Sequence, residues 1–267
     1  MSTLSIPRPP AEQRRARALI VIALCLAIAL FVVALMTMNY PSWARFRTGI
    51  SVHLTALLRS LVNPRTELFP QAFSAMMQTF YMAILGTALG GVLAFPLAFL
   101  GSGNLLGKRA FALPGKALLV AVRTFPEILL AVIFVAAAGP GPTAGIMAMG
   151  LHSIGFLGKI FSDVIEGIDQ GPMEAIRAAG GNQLQVFLYA VVPQVLPEFL
   201  SNLLYRFEIN LRSAAVLGLV GAGGIGLMLV QRLSFRRWTE ISAILIVIVL
   251  FVVVVDTISS RIRRTLV

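Results

Sequence analysis

Charge is what this sequence has least of. Of its 267 residues only 12% are Asp, Glu, Lys or Arg, where an ordinary soluble domain carries about 25%. So little polar surface cannot wrap a water-soluble globule, and it excludes a sizeable extramembrane catalytic domain. A hydrophobic content of 58% likewise excludes a disordered chain. The 11 acidic residues and 2 histidines show no metal-ligand spacing and no acid dyad, and no nucleophile stands beside a base, so an intramembrane enzyme has nothing to work with. The single cysteine, Cys25, rules out an intrachain disulfide and a cysteine metal cluster. Lying inside an apolar run, it reads as a small buried thiol.

What is present is long apolar runs and an excess of basic residues. Twenty-two Lys+Arg against 11 Asp+Glu give a net charge of +11. In a soluble protein that excess would point to nucleic acid. In a chain this apolar it reads as the bias of cytoplasmic loops, and no nucleic-acid partner is expected.

A spanning helix needs about 20 mostly apolar residues. The runs predict an all-α integral membrane protein with about six transmembrane helices: Leu19 to Met38, then about Phe73–Leu100, Leu118–Ala138, Ala144–Ile160, Pro193 or Pro197 to Val220, and Ile241–Ile258. The first run follows Arg14, Arg15 and Arg17. It is too long for a signal-peptide core and lacks a cleavage site, so it is expected to be retained. Residues 39–69 form an outer or interfacial segment, in which Trp43 and Phe46 suit the headgroup level. The segments between even-numbered and odd-numbered ends hold more Lys and Arg on one side, which puts both termini in the cytoplasm: a tail at 1–18, a tail at 259–267, and a multi-pass core at 70–258. Gly86 and Gly90 form a G-x-x-x-G pair that permits close helix contact.

Two motifs are decoys. Gly221-Ala222-Gly223-Gly224-Ile225-Gly226 matches a dinucleotide fingerprint, but no second strand follows, as a βαβ unit requires. Its glycines read instead as a closely packed turn. Gly107-Lys108 resembles the end of a phosphate loop, yet Ser102 and Arg109 stand where that loop needs Gly and Ser or Thr. This chain therefore binds no cofactor, and any ATP-driven step needs a partner.

The fifth run carries Arg206, Glu208, Asn210 and Arg212. A charge at a helix centre costs about 3 kcal/mol, so three facing lipid would cost about 9 kcal/mol. At 100° per residue the polar groups cover more than half the girth, which places this helix at the centre of the bundle. Glu208 and Arg212 stand i, i+4 and can neutralise each other, leaving Arg206 and Asn210 to line an anion path. Arg123 and Glu127 are a second i, i+4 pair, with Pro126 between them at a kink. They are either a neutralised pair or path residues. His152 reads as a hydrogen-bonded packing residue, since a pump would show a chain of acids or histidines.

Between the fourth and fifth runs, Pro172 opens a short amphipathic helix that Gly180-Gly181 closes. Glu174-Ala175 with Gly180 and, after twelve residues, Pro193 resembles the EAA loop of binding-protein-dependent ABC importer permeases. Ile176 stands where that family often has Ala. Gly139 to Pro142, Leu151-His152-Ser153-Ile154-Gly155, Gly171-Pro172, Tyr205 to Ala214 and Val220 to Gly226 extend the resemblance, over roughly residues 70–264, to the phosphonate-importer permease subfamily. The resemblance implies a type I, methionine-importer-like permease fold in a bacterial inner membrane, with a coupling helix at about 172–188. It implies two cytoplasmic ATPase subunits that use ATP and Mg, a second permease chain (itself or a paralogue), an extracytoplasmic binding protein and surrounding lipid. Glu174, Ala175, Ala178, Gly180 and Pro193 would meet the ATPase. Arg123, Glu127, Arg206, Glu208, Asn210 and Arg212 would form the path or its charge network. The substrate would be phosphonate, phosphate or phosphite. An ion-driven carrier of a small anion is the competing reading. A scaffold without a path would have little use for central charges.

Overall fold

The computed structural model describes residues 11–37, 43–102 and 109–266. Every regular element among them is helical. The chain divides into two compact units, Met1–Thr55 and Ala56–Val267.

In the first unit, α1 (Ala11–Thr37) carries the apolar stretch Leu19–Ala34. Its large side chains are exposed around the whole circumference, the pattern of a helix whose solvent is lipid. Cys25 is exposed with them. The expected buried thiol is corrected, because this helix has no packed face to hide it. The expected end of the first run, Met38, lies outside the described residues, as do Lys108 and most of the expected N-terminal tail. The segment expected to be interfacial contains a helix, α2 (Trp43–Val62). Ile50, Leu54 and Leu61 share one exposed stripe on it, and Ser51, Thr55 and Arg59 lie on the other side.

The second unit is a bundle of α3 (Phe69–Gly101), α4 (Arg109–Thr124), α5 (Glu127–Ala138), α6 (Pro142–Glu166), the short α7 (Gly171–Ala178) and α8 (Gln183–Val186), then α9 (Val192–Leu217), α10 (Gly224–Ser234) and α11 (Trp238–Leu266). Four helical stretches are long and apolar enough to cross a membrane: Thr66–Phe99, Pro142–Glu166, Gln183–Val220 and Trp238–Leu266. The run expected as one helix, Leu118–Ala138, is instead two pieces bent by 82° at Thr124–Pro126. Pro126 has no N–H to give to the preceding turn and forces Phe125 out of helical geometry. Counted as one broken span, the pair makes a fifth crossing.

Helices also extend beyond the apolar runs: α4 begins at Arg109, ahead of Leu118, and includes Lys116, and α11 runs past Ile258 through Arg261, Arg263 and Arg264 to Leu266. The glycine-rich decoy is a turn, with Gly221, Gly223 and Gly224 at φ of 87°, 84° and 69°.

The core is layered. One apolar cluster joins Ala94 and Ala98 of α3, Leu157 and Phe161 of α6, and Val195 and Phe199 of α9. A second joins Met82 of α3, Met149 of α6, and Ala214 and Leu217 of α9. Along all three helices, the residues between these clusters are the polar ones: Thr87, Ser153, Arg206 and Asn210, all buried. Ser153 lies near the centre of α6, so the polar layer sits at mid-depth of the span. Gly86 and Gly90 bring α3 onto α6 at this level: a Cβ on Gly86 would stand 2.8 Å from Met149 Cβ, and one on Gly90 would overlap Ser153.

Candidate functional site

The polar layer is built outward from Arg206, whose side chain is 2% exposed. Its Nε donates to Ser153 Oγ at 2.9 Å and its Nη2 reaches His152 Nδ1 at 2.8 Å. A guanidinium only donates, so Nδ1 is the acceptor and the ring proton sits on Nε2. The same Nη2 lies 3.6 Å from Glu127 Oε2. Asn210, one turn further along α9, donates to Thr87 Oγ1 at 2.8 Å and to Ser153 Oγ at 3.0 Å. Thr87 in turn donates to Ala83 O at 2.7 Å. One network therefore joins α3, α5, α6 and α9, and His152 is the hydrogen-bonded packing residue that its surroundings led us to expect.

The pairings differ from those that helical spacing predicts. Glu127 pairs with Arg206 rather than Arg123, because the bend at Pro126 separates two positions that a straight helix would have stacked. Glu208 pairs with Arg263 of α11 at 3.1 Å rather than with Arg212. Arg212 pairs with Asp256 of α11 at 2.6 Å. Arg123 is exposed, and among the described residues no carboxylate stands within ion-pair distance of it. Its guanidinium lies over Phe156, 5.4 Å from the ring centroid, and Arg206 lies 5.0 Å from the same centroid. Sequence reasoning missed Phe156, Arg263 and Asp256. Asp256 had a signal, as a carboxylate set within the apolar run after Ile241 of α11.

In the first turn of α11, Glu240 is 6% exposed and is ringed by Arg65 at 2.9 Å, Arg232 at 3.1 Å and Arg237 at 3.5 Å. Hydrogen bonds to Glu67 and Glu240 push the Arg65 guanidinium further up from its ordinary pKa.

At the opposite end, α7 has an exposed face carrying Glu174, Ala175 and Ala178, and it is anchored through buried Met173. It stops at Ala178. Gly180, with φ at 82°, turns the chain, and a capping box of Asn182 and Gln185 starts the next helix. The expected span 172–188 thus holds a helix, a turn and a second helix start. Helix α8 passes through a wide-turned segment, Phe187–Val191, into α9. Exposed Pro193 sits in the first turn of α9. Gln194 ties this joint to the approach to α7: its Oε1 accepts from Asp169 N–H at 2.9 Å, and its Nε2 donates to Ala190 O at 2.8 Å.

A helical bundle with a charged central helix and a short amphipathic helix at one end agrees with the permease fold that the EAA resemblance implied; the broken span was not part of that expectation. The model of the family described as "Binding-protein-dependent transport system inner membrane component" matches residues 90–267. The chain belongs to this family. It is 40% identical over 220 residues to the phosphite transport system permease protein PtxC of Stutzerimonas stutzeri, covering 79% of this chain and 80% of that protein. It is 39% identical over 216 residues to the phosphate-import permease protein PhnE of Mycolicibacterium smegmatis, covering 81% of this chain and 41% of that one. A solved structure of the MetNI methionine ABC transporter shares the fold, with a TM-score of 0.67, 20% identity, and coverage of 76% of this chain and 99% of that chain. The permease is an inner-membrane transport subunit and not an enzyme. Hydrolysis of ATP falls to a separate subunit, and an ABC importer of this kind works with a substrate-binding protein.

Proposed function

We propose that this permease carries a phosphorus oxyanion (phosphonate, phosphite or phosphate) inward through an ABC importer. The observation that supports this best is the 40% identity to a permease named for phosphite, spread over four fifths of both chains. A mid-membrane polar layer containing arginine agrees in sign with an anionic cargo.

In this reading two permease chains pair with two ATPase subunits, and both termini are cytoplasmic. The exposed face of α7, with Glu174, Ala175 and Ala178 closed off by Gly180, is the surface the ATPase engages. The joint at Pro193 passes its movement to α9. The partner subunit binds and hydrolyses ATP with Mg.

The test is uptake of labelled phosphite, phosphate and methylphosphonate by a strain whose own importers are deleted, with and without this permease and its neighbours. Uptake should depend on ATP and survive collapse of the ion gradient. Glu174→Lys and Gly180→Asp should abolish uptake while the protein still inserts. Uptake that survives ATP depletion but not gradient collapse would instead establish an ion-driven anion carrier.

A further inference from the structure

The polar layer contains one charge that its own fold does not neutralise. Glu127 is held by Arg206, and His152 is neutral because its Nδ1 accepts from Arg206. Glu208 and Arg212 are each matched by a partner on α11. Arg123 is left with an aromatic face, Phe156, which Arg206 shares. Two guanidinium groups and one carboxylate therefore surround that ring, an excess of one positive charge.

The position of Arg123 is built, not incidental. A Cβ on Gly155 would stand 2.7 Å from Arg123 N and 2.9 Å from Leu119 O, so only glycine lets the end of α4 lie against the middle of α6. The helix then breaks: Pro126 sends α5 off at 82°, and Arg123 is left exposed at mid-depth rather than inside a continuous helix. Its hold is loose, since a cation over an aromatic ring is worth about 0.5–1 kcal/mol when exposed and about 2 when desolvated. An uncompensated cation at a span centre costs about 2.5–3.5 kcal/mol. An anion arriving there recovers that cost, and it can also leave again, because nothing else clamps it.

We propose that Arg123, over Phe156 and beside the charge of Arg206, is the substrate-contacting cation of the translocation path, a mid-membrane waypoint for a tetrahedral phosphorus oxyanion. Its planar fork of donors matches two oxygens of such an anion. Arg206, only 2% exposed and paired with Glu127, Ser153 and His152, holds the layer together and does not itself present donors to the anion. This proposal rests on the oxyanion-importer reading above.

The experiment is phosphite uptake by the complete importer in proteoliposomes, comparing wild type with Arg123→Gln and Arg123→Lys. The Arg123 side chain makes no hydrogen bond or ion pair among the described residues, so both variants should assemble as wild type does. Arg123→Gln should lower uptake at least about 10-fold, the tenfold that about 1.4 kcal/mol represents. Arg123→Lys keeps the charge but loses the fork, and should raise KM for phosphite several-fold while recovering most of the maximal rate. A merely structural arginine would not show that split. Wild-type uptake by Arg123→Gln would overturn the proposal. If Arg123→Gln did not assemble, Arg123→Lys decides in its place: a raised KM upholds the waypoint, and unchanged kinetics overturn it. If the wild-type importer moved no phosphorus oxyanion but another anion, the oxyanion reading would fall, and loss of that anion's uptake in Arg123→Gln would still uphold the site. A neutral or cationic cargo would overturn both.

Discussion

Removing the Arg206 side chain, as in Arg206→Met, should unlock the bundle and not merely slow transport. The guanidinium makes hydrogen bonds to Ser153 at 2.9 Å and His152 at 2.8 Å, and an ion pair to Glu127 at 3.6 Å, all at 2% exposure. Breaking a buried pair by removing one partner costs about 3–5 kcal/mol, because the other charge is left uncompensated. The two hydrogen bonds add little beyond that, since each is worth about 0.6 kcal/mol on average inside a membrane protein. The expected loss is about 4 kcal/mol. For a chain of this size each kcal/mol moves Tm by about 2–4 °C, so the detergent-solubilised permease should melt on the order of 10 °C lower. Glu127→Gln alone should cost about 3 kcal/mol by the same reasoning. The double variant removes both charges together and should cost less than the sum of the two by at least about 2 kcal/mol. Equilibrium unfolding of wild type, both single variants and the double variant measures this coupling. A coupling below about 0.5 kcal/mol, the level expected of independent sites, would refute the claim that Glu127 and Arg206 hold α5 to α9.

Three further outcomes follow from the same geometry. Gly155→Val should displace the end of α4 from α6, because even a Cβ there meets Arg123 N at 2.7 Å; uptake should fall while the hydrogen bonds of Arg206 to Ser153 and His152 persist, which protection of the α6 amides against hydrogen exchange would report. Glu240→Gln should destabilise the end of the bundle where α11 begins by about 2–4 kcal/mol, since it strands arginines around a buried carboxamide; a melting temperature equal to wild type would contradict it. Asp256→Asn, at a pair whose side chains are 51% and 43% exposed, should cost under about 1 kcal/mol, and a larger loss would mean that this face is covered in the assembled importer.

The division between what could and could not be read from the sequence follows physical range. The apolar runs and the turn at Gly180 are local and were legible, although α6 and α11 continue six and eight residues past their expected ends and one run is broken in two. The polarity of α9 was legible as a stripe, and its central place followed from cost alone. The partners of its charges were not, because helical spacing offers only neighbours on the same helix. Glu208 chose Arg263, 55 positions away, over Arg212. The same spacing rule failed for Arg123 and Glu127 for a different reason: it assumes a straight helix, and Pro126 removes one. Pro126 was visible, but the size of the bend is set by how α4 and α5 pack on α6, which no local rule contains. Leu151 to Gly155 shows the converse. As a motif it carried family likeness, yet three of its positions and the Phe156 that follows have separate tasks in the structure. His152 and Ser153 receive Arg206, Gly155 admits α4, and Phe156 faces two guanidinium groups.

Helix α9 can be polar over more than half its girth because its charges are distributed among different neighbours. Arg206 turns to α5 and α6, Asn210 to α3 and α6, and Glu208 and Arg212 to α11. Had Glu208 and Arg212 satisfied each other on one face, they would have left α11 with Asp256 and Arg263 unmatched, and no ionic contact would fix how α9 and α11 are rotated against each other. Apolar packing alone does not fix that rotation strongly in a bilayer, where lipid tails are as good a solvent for leucine as another helix is. Each cross-helix pair is instead met at only one rotation of α9. Glu208 reaches Arg263 near the end of α11 while Arg212 reaches Asp256 two turns earlier, so the two pairs together set both the rotation and the register of these helices. The same positioning orients Arg206 toward Glu127, and Arg206 can be matched without drawing on Arg123. The fixed pairs of α9 are therefore the reason that the unmatched charge of the polar layer stands on the broken span and not on the central helix.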